Sequence, residues 1–124
     1  MNQTDRDRAA LPPLIFACSG AADVGSIADQ AARRLTRFGV GKMYCLAGVG
    51  GRVEEIMENT REASSILAID GCPSECAKNC LQEAGFTQFH HIQLEELGMK
   101  KRESPPNEAR VELVMSRARE MTGA

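Results

Sequence analysis

The sequence predicts an α/β fold: a Rossmann-like three-layer sandwich around a four-stranded, mainly parallel sheet in the order 2-1-3-4. Two observations carry this expectation. Short apolar runs that suit buried strands alternate with amphipathic stretches of helical period, and each of the first three runs leads into a glycine-containing turn before the next helix. Strands separated by helices must return in parallel through right-handed crossovers, which puts helices on both faces of one sheet.

The first strand is Leu14-Ile15-Phe16-Ala17-Cys18, stopped by Ser19-Gly20. Residues 23–37 follow as a helix, with Val24, Ile27, Ala28, Ala31, Ala32 and Leu35 at three- and four-residue spacing, Asp23 placed to cap it and Gly39 to close it. A second strand over 42–47 runs into the glycine turn 48–51, and the next helix covers 52–61 with Val53, Ile56 and Met57 on one face. The third round is a strand over 65–69, a turn at Asp70-Gly71-Cys72 and a helix over 73–84. Pro73 suits its first position and Gly85 its stop. Residues 86–94 make the fourth strand, 95–104 a charged connector and 106–121 a last helix, whose Val111, Leu113, Val114, Met115 and Ala118 can dock on the sheet. Residues 1–11 read as a tail, and 12–124 as one domain of ordinary size for 124 residues.

Composition narrows the function. A net charge of −2 and an aromatic content of 4% without tryptophan leave neither a basic surface for phosphates nor stacking platforms for bases, so nucleic acid is not an expected partner. No stretch approaches the roughly 20 apolar residues that span a bilayer, so no membrane is expected either. Five cysteines, an odd number in a chain lacking an export pattern, point to reduced thiols and a cytoplasmic setting.

Ligands of an open parallel sheet bind beyond the carboxyl ends of its strands, and three cysteines map to that edge. Cys18 ends the first strand, Cys72 lies in the turn after the third, and Cys45 is two residues inside the end of the second. In the order 2-1-3-4 the first and third strands are neighbours about 4.8 Å apart, so Cys18 and Cys72 meet at the switch point. Cys72, Cys76 and Cys80 follow as C-x3-C-x3-C across the start of the third helix. Soft thiolates suit tetrahedral zinc, and a helix N-terminus favours thiolate whether it binds metal or acts as a nucleophile. Cys45 and Cys80 also fit the bland role of small buried hydrophobes, which leaves the fourth ligand open between them. Asp70 reads as a helix cap or as an orienting carboxylate, and the methionines as core. His90 and His91 alternate across a strand away from this edge and are not expected in the site. The glycine turn 48–51 could face an anion but lacks the lysine and spacing of a P-loop.

Three motifs in order, Cys18-Ser19-Gly20-Ala21-Ala22-Asp23-Val24-Gly25, Cys45-Leu46-Ala47-Gly48-Val49-Gly50-Gly51 and Asp70-Gly71-Cys72-Pro73 with Cys76-Ala77-Lys78, resemble the DGC-domain family, small prokaryotic proteins described as zinc-binding and named for the Asp-Gly-Cys triplet. The resemblance covers roughly residues 12–122. It implies zinc held by Cys18, Cys45, Cys72 and Cys76 in a structural, metal-handling or regulatory role, and it implies no reaction. The alternative is a thiol-dependent sulfur-transfer or redox protein that uses Cys72, so whether the chain is an enzyme stays open.

Overall fold

Three parallel strand pairings organise residues 12–123, the part of the chain that the structure, a computed structural model, describes. The expected tail at 1–11 lies outside the described residues. Strand β1 (Leu14–Ala17) pairs with β2 (Lys42–Met43) on one side and β3 (Ile66–Asp70) on the other, and β4 (His90–Gln93) pairs with β3, giving the order β2-β1-β3-β4. The order expected from the strand and helix alternation is the one found, and every pairing is parallel.

The two-residue period of the strands divides the core. Ile15 and Ala17 of β1 and Leu67 and Ile69 of β3 face one layer, while Phe16, Ile66 and Ala68 face the other. Helices α1 (Asp23–Arg37) and α5 (Glu108–Thr122) cover the first face with Ile27, Ala31, Leu35, Val111 and Val114, all fully buried. The short α2 (Leu46–Gly50), α3 (Glu54–Arg61) and α4 (Cys76–Glu83) cover the second through Val49, Met57, Ala77 and Leu81. Each large apolar side chain so buried contributes roughly 2 kcal/mol against the unfolded chain.

Local differences from the sequence expectation have physical reasons. The second strand ends at Met43; Tyr44 still donates its N–H to the Ile15 carbonyl at 2.8 Å, but Cys45 then turns the chain into α2. An apolar run reads as strand until the glycines are weighed. A Cβ on Gly48 would lie 2.1 Å from Ile56 Cδ1, so Gly48 lets α3 close on α2. Helix α4 starts at Cys76 rather than at residue 73, because Glu75 takes a left-handed backbone (φ 51°) and Pro73 stays in the preceding turn. Asp23 is not the N-cap, a place taken by Ala22; its carboxylate takes the N–H groups of Val24, Arg102 and Ser104. Residues 86–89 precede β4 as loop. In α5, Leu113 points outward at 47% exposure rather than docking on the sheet.

Candidate functional site

The site grows from the carboxyl ends of β1 and β3, where the sheet order reverses. Cys18 directly follows β1 and continues the ladder, its N–H donating to the Ile69 carbonyl at 3.0 Å. Its sulfur accepts the Gly71 N–H at 3.3 Å, so the meeting of Cys18 with the turn after β3, expected from strand order, is present as a hydrogen bond.

Asp70, the last residue of β3, has a side chain only 1% exposed. It reaches over the turn to α4: Oδ1 accepts the Ala77 N–H at 2.7 Å and Oδ2 the Lys78 N–H at 3.0 Å. These are two of the orphan donors at the start of a helix, so the strand end caps the helix across the loop that carries Cys72. His91 Nε2 lies 2.8 Å from Oδ2 of the same carboxylate, and Nδ1 lies 3.7 Å from Glu75 Oε2. The expectation that His91 stands away from this edge is therefore corrected. Register explains it: His91 pairs with Ala68, and Asp70, two residues on, shares that face.

Two glycines weld the turn to α1. A Cβ on Gly71 would fall 2.7 Å from the Val24 carbonyl carbon, and one on Gly25 2.4 Å from the Gly20 oxygen. The loops after β1 and β3 thus interlock against the first turn of α1 and frame a cavity of about 610 Å³. Cys18, Cys72 and Cys76 line it, with Asp23, Lys101 and Arg102.

The family profile of the DGC domain matches residues 14–118. The chain belongs to the DGC-domain family. Over 90 residues, 73% of this chain and 69% of the other, it is 43% identical to the "Anaerobic and virulence modulator AnvM" of Pseudomonas aeruginosa. No solved structure matches significantly.

The triplet that names the DGC domain divides its work here among an aspartate that holds a helix, a glycine that permits contact and a cysteine that enters the cavity. All five cysteines of this DGC domain are free thiols. Cys45 and Cys80 are not among the residues lining the cavity. The Cys45 sulfur caps α2, accepting the Gly48 N–H at 3.3 Å, and the Cys80 thiol points at the Leu46 carbonyl at 3.7 Å. Burial pushes the Cys80 thiol up, with nearby Arg52 opposing and Glu83 and Cys76 adding to it, which keeps it protonated at neutral pH. The donors suit zinc in kind, being soft sulfurs of which three share one cavity. Among the described residues, however, no three of His, Cys, Asp and Glu stand together as a set that could hold an ion. No helix among the described residues is long and apolar enough to cross a membrane.

Proposed function

We propose that this DGC-domain protein is a regulatory metal-binding protein that takes zinc on cysteine thiolates at the carboxyl edge of its sheet. The observation that carries the reading is the shared cavity of Cys18, Cys72 and Cys76, with a backbone N–H already directed at the Cys18 sulfur. Cys45, at the same edge one strand over, is the proposed fourth ligand, in preference to Cys80, whose thiol points at the Leu46 carbonyl. The relative's printed name, a modulator, supports regulation over catalysis. A reducing cytoplasm would keep such thiols available.

The test is metal analysis of protein purified without added zinc, with thiol titration before and after a chelator. Near-stoichiometric zinc and thiols unmasked by the chelator are expected. Serine at position 18, 45, 72 or 76 should each lower the metal content, whereas Cys80→Ser should leave it unchanged. Equal loss at Cys80 would move the fourth ligand there.

That no three potential ligands stand together among the described residues favours a second reading, in which Cys72 is a nucleophile for sulfur transfer or disulfide exchange. Metal-free protein with one fast-alkylating Cys72 would overturn the zinc reading and leave this one.

A further inference from the structure

A zinc ion enclosed by four thiolates needs almost no free space, yet the cysteines open on a cavity of about 610 Å³, inside the range of small-molecule sites. Something larger than an ion fits it. Its charge follows from the groups on the wall.

Three carboxylates line the cavity, and each is already engaged. Asp70 holds the Ala77 and Lys78 N–H groups and His91. Asp23 takes the N–H groups of Val24, Arg102 and Ser104 at 2.8, 2.9 and 3.1 Å. Glu75 lies 3.6 Å from Lys78 Nζ and 3.7 Å from His91 Nδ1. The two basic residues on the wall, Lys101 and Arg102, form no ion pair among the described residues. Their segment is nevertheless fixed in place. Met99 is buried at 2% exposure, Lys100 donates its N–H to Ser104 Oγ at 2.8 Å, and Arg102 has a left-handed backbone (φ 74°) while its N–H is held by Asp23.

We infer that Lys101 and Arg102 form an anion-recognising arm of the cysteine cavity, and that the cavity admits a small organic anion and presents it to Cys72 and Cys76. The inference rests on the reading of this edge as a thiol site and adds the ligand's charge and size. Two cations without an ion-pair partner among the described residues, on the wall of a partly enclosed cavity whose carboxylates are turned to other donors, offer an anion direct contacts that weaken as salt rises.

The probe is a matched pair of alkylating reagents, anionic iodoacetate and neutral iodoacetamide, applied to chelator-treated full-length protein with each cysteine followed by peptide mass spectrometry. Lys101→Ala combined with Arg102→Asn, asparagine being tolerant of the left-handed backbone, should lower the iodoacetate-to-iodoacetamide rate ratio at Cys72 or Cys76 by about tenfold. The iodoacetamide rate itself should not change, which shows that the cavity is intact. Arg102→Lys should keep most of the ratio, and added salt should erase the difference between parent and double variant. A ratio unmoved by the double variant overturns the anion arm and leaves the thiol site standing. Failure of both reagents at Cys72 and Cys76 overturns the thiol reading, and this inference with it.

Discussion

At the scale of single residues, Asp70 does most to shape the site. A carboxylate with 1% of its side chain exposed is tolerable only because two N–H groups and an imidazole surround it. Removing the imidazole by His91→Ala leaves Oδ2 short of a partner and should cost about 2 kcal/mol, read as a lower urea midpoint at unchanged slope. The effect should also reach Cys72, because the helix that Asp70 caps fixes the far end of its loop. The convergence of Cys18 with the Asp-Gly-Cys turn was legible in the sequence, since strand order alone brings those two chain ends together. His91 was not: adjacent histidines on a strand say only that one of them faces each side. Which side meets Asp70 is decided by register between β3 and β4, a tertiary property.

At the scale of elements, the strand and helix alternation was readable and the element ends were not. Pro73 is a good first helical residue by propensity, but the hydrogen bonds of Asp70 act four and five residues later, on Ala77 and Lys78, and α4 starts at Cys76. Met43 to Ala47 has strand composition, but the turn into α2 follows from packing that only Gly48 permits. The same kind of contact governs the joint between the Cys72 turn and α1. Gly71→Ala places a methyl group 2.7 Å from backbone that cannot yield easily, so α1 and the turn must part. A loss of about 2 kcal/mol in unfolding free energy is expected, together with faster alkylation of Cys18 as the parted turn opens access to its sulfur. Gly39→Ala, where only a left-handed backbone is at stake and no atom lies within 4 Å, should cost about 1 kcal/mol and leave Cys18 unchanged.

At the scale of the whole molecule, the connector between β4 and α5 brings Lys101 and Arg102 to the cavity wall, and Asp23 holds it there. The N–H of Arg102 contributes most to keeping the Asp23 carboxyl below the usual carboxylate range; burial opposes it, and the N–H groups of Ser104 and Val24 add to it. Because the folded value is the lower one, this contribution is complete above the unfolded-state value and is lost as pH falls through the folded value. Parent protein should thus lose urea resistance steadily below the ordinary carboxylate range, and Asp23→Asn should show a shallower acid decline.

The contact of Gly71 with Val24 and of Gly25 with Gly20 also bears on how the site could be moved. Residues 70–76 look like a portable cassette, a strand end, a turn and a helix start in seven consecutive positions. They are instead one half of a two-part joint whose other half sits some fifty residues upstream in the first connection. A designer transplanting the cysteines into another parallel α/β scaffold would have to carry residues 18–25 as well, and the recipient's first helix would need a glycine where this one has Gly25.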